Sequence, residues 1–140
     1  MRVVIDTNLL FDAVAPNGDK HWVLDCFFDD RFTWIFSNEI LSEYAEIIAG
    51  SFGEKTMTFT ISALISSFNH ERFEPSYKYQ LVIDDKDDNK FVDCAVGANV
   101  DFLVSDDKHI KQLLKIKDLF PPVPVITSTQ FKAILDLNGA

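Results

Sequence analysis

Acidic side chains recur in this sequence where short apolar runs stop. Asp6 follows Val3-Val4-Ile5, the cluster Asp84, Asp85, Asp87 and Asp88 follows Leu81-Val82-Ile83, and Asp106 and Asp107 follow Phe102-Leu103-Val104-Ser105. Between them Glu39, Glu43 and Glu46 share the flank of one helical segment. Carboxylates gathered in one cleft repel, and some take up protons unless a cation joins them. Sites made of oxygen ligands alone select hard ions, Mg2+ or Mn2+. Such an ion makes a bound water more acidic and a phosphate oxygen a better electrophile. Competing chemistries are poorly represented. The spacing of the Cys and His residues does not suggest zinc, no Ser–His pairing stands out, and His21, His70 and His109 lie in unrelated contexts. The run Asp84–Asp88 lacks the central Gly and the terminal Glu of an EF-hand loop. Each acid also has a plainer role. Asp6 or Asn8 can cap a helix, Asp88 suits the positive end of a helix dipole, and the three Glu residues can be solvated surface charge.

The elements that must position these acids alternate. Val3–Ile5 reads as a short buried strand, and Thr7 and Asn8 begin a helix that Pro16-Asn17-Gly18 stops. A second helix is expected from about Asp19 to Asp29, then an apolar strand over Phe32–Phe36. Ser37 caps the next helix, with Ile40, Leu41, Tyr44, Ile47 and Ile48 as its buried stripe, and Gly50 to Gly53 breaks it. Thr56–Asn69 gives another helix, His70–Gln80 a connection, and Leu81–Ile83 a strand. A helix from about Asn89 to Asn99, the strand Phe102–Val104, a lysine-bearing helix ended by Pro121-Pro122, a strand over Val123–Ile126 and a closing helix complete the chain. This alternation predicts a three-layer α/β/α sandwich around a central, mainly parallel twisted sheet of four to five strands. A parallel sheet places its strand carboxyl ends on one edge, so Asp6, the Asp84–Asp88 cluster and Asp106/Asp107 converge if their strands are neighbours.

The length of 140 residues suits a single domain, 1–140, with a real core that the 13 Phe residues help to fill. The net charge of −9 argues against a protein that coats nucleic acid, but not against an enzyme that meets it through metal ions. Cys26 and Cys94 read as reduced core residues. With no signal peptide and no apolar run near the ~20 residues that span a bilayer, a cytoplasmic protein without membrane association is expected.

Taken together, the ordered segments Val4-Ile5-Asp6-Thr7-Asn8, Ile40-Leu41-Ser42-Glu43-Tyr44, Asp87-Asp88-Asn89-Lys90-Phe91-Val92-Asp93-Cys94-Ala95 and Phe102-Leu103-Val104-Ser105-Asp106-Asp107-Lys108-His109 resemble the PIN domain. The likeness is greatest to toxin components of toxin–antitoxin pairs, relatives of the VapC toxins, and it covers essentially the whole chain. It implies a ribonuclease dependent on one or two Mg2+ or Mn2+ ions, cleaving RNA to leave a 5′-phosphate and a 3′-hydroxyl. By the same resemblance Asp6, Asp88 and Asp107 match metal ligands, and Glu43 matches the helix acid that holds a water or a second ion. Asn8 and Ser105 match small polar positions that support them. Asp93 lies about 140° round the helix from Asp88, and a shifted helix start would exchange the two. Asp106 is the corresponding substitute for Asp107. A cognate antitoxin and a homodimer are also implied.

An RNA substrate needs positive surface on so acidic a protein, and Lys86, Lys90, Lys108, Lys111 and Lys115 are the candidates near the acidic edge. A second reading is a catalytically weak or inactive PIN-fold module that acts through a protein partner; the presence of all four acids favours the enzyme. A phospho-receiver domain would need two acids together near the amino terminus, where Asp6 stands alone on its strand.

Overall fold

The computed structural model describes residues 1–76, 89–111 and 124–138. In chain order the elements are β1 (Arg2–Ile5), α1 (Thr7–Val14), α2 (Trp22–Phe28), β2 (Thr33–Phe36), α3 (Asn38–Phe52), α4 (Glu54–Ser66), β3 (His70–Arg72), α5 (Asn89–Gly97), β4 (Phe102–Val104), α6 (Lys108–Lys111), β5 (Val125–Ile126) and α7 (Ser128–Asn138). The described strands form one parallel sheet of five in the order β3-β2-β1-β4-β5, flanked by helices. This is the expected α/β sandwich. Val3, Val4 and Ile5 are all fully buried. Successive strand residues point to opposite faces, so complete burial means that both faces of β1 are covered.

The strand order decides where a site can form. The chain builds outwards from β1 through β2 to β3, and the remaining strands β4 and β5 lie on the other side of β1. The sheet therefore reverses direction of growth between β1 and β4, the crevice in which open α/β sheets hold ligands. Beneath it, Phe27 packs edge-on to Trp34, and Phe32 edge-on to Phe131, joining α2, β2 and α7 in one aromatic core.

Two expectations change. The chain after α4 forms β3, where a plain connection was expected; His70, Glu71 and Arg72 pair in parallel with Trp34, Ile35 and Phe36. A polar strand of three residues gives no alternation to read, and backbone pairing with Asn69 anchors it: the Asn69 carbonyl accepts from the Trp34 amide at 2.9 Å, and its side chain donates to the Phe27 and Phe32 carbonyls at 2.8 and 2.9 Å. The strand expected over Leu81–Ile83 lies outside the described residues. The helix break also narrows. α3 continues through Gly50 to Phe52, and only Gly53, with φ at +96°, separates it from α4. A glycine inside a helix costs about 1 kcal/mol, whereas a left-handed φ excludes most other residues.

Candidate active site

β1 and β4 pair with Ile5 beside Val104, and the Asp6 amide continues the ladder to the Val104 carbonyl at 3.0 Å. Asp6 and Ser105 thus leave the sheet side by side, and the Ser105 hydroxyl donates to Asp6 Oδ2 at 2.8 Å. The same oxygen of Ser105 accepts the Asp107 amide at 3.0 Å. One hydroxyl therefore fixes both the Asp6 carboxylate and the backbone that carries Asp107.

Asp6 occupies the N-cap position of α1, yet its side chain makes no regular capping hydrogen bond; the Asn8 amide only lies close enough to favour its ionised form. The residue is 4% exposed. Burial is the largest influence on its acidity. The negative charges of Asp107 and Glu43 add to burial, and the hydrogen bonds from Ser105 and Asn8 oppose it. The net effect pushes the carboxyl up to about 6.

Glu43 reaches this group from α3. The helix begins at Ser37, whose hydroxyl accepts the Ile40 amide at 3.2 Å. Its orientation over the sheet is fixed by the next residue, Tyr44, which is fully buried. The Tyr44 hydroxyl donates to the Ile5 carbonyl and accepts the Trp34 indole N–H at 3.2 Å. With Tyr44 tied to the last residue of β1, Glu43 faces the start of α1, where Thr7 donates its hydroxyl to Glu43 Oε2. The other oxygen, Oε1, takes the Lys90 ammonium at 2.9 Å. Glu39 and Glu46, the other acids on this helix, are exposed.

Asp106 points elsewhere. β4 and β5 pair with Val104 beside Ile126, so Asp106 lies against the first turn of α7. It accepts the Ser128 amide at 2.9 Å and the Ser128 hydroxyl at 2.7 Å, and Lys20 approaches at 3.5 Å. Partial burial works against its ionisation, but these donors and the Lys20 charge outweigh it and hold the carboxyl below its ordinary range. Asp106 thus turns towards α7, while the negative charge of Asp107 acts on Asp6.

The remaining expected residues divide as follows. Asn8 is exposed beside Asp6. Asp93 is buried and lines a small cavity of about 180 Å³ with Ser37, Glu39, Glu74, Pro75 and Lys90. Asp88 and Lys86 lie outside the described residues, as does Lys115. Lys108 is exposed at the start of α6, and Lys111 ends that helix. Away from the acids, Phe27 is core and Phe52 packs at a tilt against Phe11, with ring centroids 4.9 Å apart, whereas Phe28 and Phe59 are exposed. Two residues not assigned to the site from sequence now join it, Thr7 and Tyr44, while Lys20 pairs with Asp106 away from Asp6. Thr7 had a visible signal, since it follows Asp6 directly; the pairing of Tyr44 with the Ile5 carbonyl had none.

Among the described residues, no three His, Cys, Asp or Glu side chains surround a common metal position, and no helix is long and apolar enough to cross a membrane. A profile of the PIN domain matches residues 2–109. No curated protein sequence matches significantly. Among solved structures, the crystal structure of VapBC2 from Rickettsia felis, bound to a DNA fragment from its promoter, contains a similar chain. The TM-score is 0.62 at 16% identity, over 91% of this chain and 98% of that one.

Proposed function

Because the chain belongs to the PIN domain family, we propose that it is a single-domain, metal-dependent endoribonuclease, the toxin of a toxin–antitoxin pair. The observation that supports this reading is that the charges of Asp107 and Glu43 both act on the buried Asp6 carboxyl, at the end of β1 beside β4. A buried carboxyl pushed up to about 6, with two further negative charges acting on it, is a group that a cation would relieve. The donor set consists of oxygens and fits Mg2+ or Mn2+. Asp6 and Asp107 would hold the ion, joined by Asp88 on the strength of its sequence position ahead of α5. When bound, the ion supplies Lewis-acid polarisation of a phosphate oxygen and a more acidic water.

The chain's own residues supply the positioning. Ser105 fixes the Asp6 carboxylate and the Asp107 backbone together. Thr7 and Lys90 orient Glu43, and Tyr44 ties its helix to β1. Burial excludes water from the inner side of Asp6. The reaction adds water across a phosphodiester bond and yields a 5′-phosphate and a 3′-hydroxyl. Lys108, exposed next to Asp107, is the described lysine best placed to meet the RNA backbone.

The reading includes a cognate antitoxin, a homodimer and action in the cytoplasm. It is supported by the similarity of fold to a chain of the VapBC2 complex and by free cysteines at Cys26 and Cys94. Phe59, 74% exposed on α4, and Phe68 beyond it offer apolar surface for a partner. The test is hydrolysis of single-stranded RNA with Mg2+ or Mn2+, repeated with EDTA and with Asp6→Asn. Loss of cleavage under both conditions is expected, and unchanged cleavage under either refutes it. A binding module without activity is the second reading, favoured only if the intact protein holds its partner and never cleaves.

A further inference from the structure

Lys90 is placed where ordinary preferences disfavour a cation. It is the second residue of α5, within the first turn. The amino-terminal end of a helix carries partial positive charge, which opposes a cation there. Its side chain is also only 10% exposed, and ammonium groups are costly to withdraw from water. Stem and head nevertheless turn inward: the ammonium stands 5.4 Å from the centre of the Phe91 ring and 2.9 Å from Glu43 Oε1. Glu43 is itself 71% covered, and its other oxygen holds the Thr7 hydroxyl. Both oxygens of the helix acid are thus engaged by groups of the chain itself, one of them a full positive charge.

We infer that Lys90 is a built-in counter-cation that occupies Glu43 in place of a second divalent ion, so that the centre takes one ion rather than two. The inference rests on the metal-centre reading and gives Glu43 a specific part in it. Asp6 and Asp107 remain on the sheet side for the single ion. Glu43 and Lys90 neutralise each other on the helix side, between α3 and α5. Lys90 is then a positioning residue: it holds Glu43 away from the ion.

The test is a calorimetric titration of the full-length chain with Mn2+, with the number of bound ions confirmed by the Mn2+ paramagnetic resonance signal. Wild type is expected to bind one equivalent, and Asp6→Asn to abolish it. Lys90→Gln frees Glu43 and is expected to take up a second equivalent, while Lys90→Arg, which keeps the charge, stays at one. Two equivalents on wild type overturn the inference, as does a folded Lys90→Gln that still binds one. If Lys90→Gln does not fold, Glu43→Gln decides: it keeps one equivalent if Lys90 occupies that acid, and loses Mn2+ if Glu43 is a ligand of the ion. Wild type that binds no Mn2+ sinks the metal centre and this inference together. Binding of one Asp6-dependent ion without the predicted Lys90 effect sinks the inference alone.

Discussion

Replacing Asp6 by Asn should stabilise the metal-free protein at neutral pH, although it removes the residue on which the proposed activity depends most. Burial first, and then the charges of Asp107 and Glu43, raise the carboxyl from 3.8 to about 6. The folded state therefore holds the proton more tightly than the unfolded chain does. For a raised carboxyl, the stabilising contribution is fully present below about 3.8 and is lost as pH rises through about 6. At pH 7.5 the folded metal-free protein carries a cost of about 3 kcal/mol, from roughly two pKa units at 1.36 kcal/mol each. Asn can still accept the Ser105 hydroxyl through its amide oxygen, but its NH2 group must lose water, at about 1–2 kcal/mol. The net gain expected at pH 7.5 is about 1–2 kcal/mol. The assay is urea unfolding of both proteins in EDTA at pH 7.5 and pH 4. The quantity that decides is the change in their difference between the two pH values, because other titrating groups cancel in it. Asp6→Asn should lose about 2–3 kcal/mol of relative stability on going to pH 4. A difference that stays constant with pH would falsify the charge argument. Saturating Mn2+ should then reverse the order at pH 7.5, because a ligand that binds only the folded wild type stabilises it by mass action.

Three further outcomes are expected. Tyr44→Phe leaves the Trp34 N–H and the Ile5 carbonyl without their buried partner and should cost about 1–3 kcal/mol in urea unfolding; an unaltered midpoint would show that neither bond matters. Glu43→Gln should lower RNA cleavage at least about tenfold, as expected for groups that orient a metal site, whereas the exposed Glu46→Gln should be nearly silent; the reverse ranking would mean that the wrong helix acid had been chosen. Lys108→Glu should weaken RNA binding and flatten its dependence on salt, measured by filter binding across NaCl concentrations; an unchanged slope would remove Lys108 from the RNA path.

The features legible in sequence are those encoded by local pattern. Three consecutive β-branched residues before Asp6 are sufficient to predict a strand covered on both faces, and Val3, Val4 and Ile5 are indeed fully buried. Ser37 ahead of Ile40 and Leu41 marks a cap, and the Ser37 hydroxyl does accept the Ile40 amide. Contacts whose signal depends on partners far along the chain were not legible. β3 exists because β2 offers it an edge and Asn69 bridges two distant carbonyls, not because His70-Glu71-Arg72 favours extension. The stripe expected on α3 included Ile47, yet Ile47 is exposed, because only the Ile40, Tyr44 and Ile48 line meets the sheet. Lys90 illustrates the same limit: as a lysine next to an acidic run it suggested RNA contact, but the 2.9 Å approach to Glu43 depends on how α3 crosses α5.

The choice between Asp106 and Asp107 shows how register converts a sequence ambiguity into two distinct roles. The residues that follow β4 leave the sheet between β1 and β5 and can meet partners from either neighbour. Their hydrogen bonds and charges show different destinations. Ser105 serves Asp6 on the β1 side. Asp106 serves Ser128 on the β5 side and draws in Lys20 from ahead of α2. The charge of Asp107 acts again on Asp6. Both acids can therefore be needed without being interchangeable. Asp106, with its charge balanced by Lys20 and by donors at the start of α7, braces the strand end, and the negative charge of Asp107 adds to the burial that raises Asp6. Asp106 is thus tied to the first turn of α7, whereas Asp107 raises the affinity of its neighbour Asp6 for a proton.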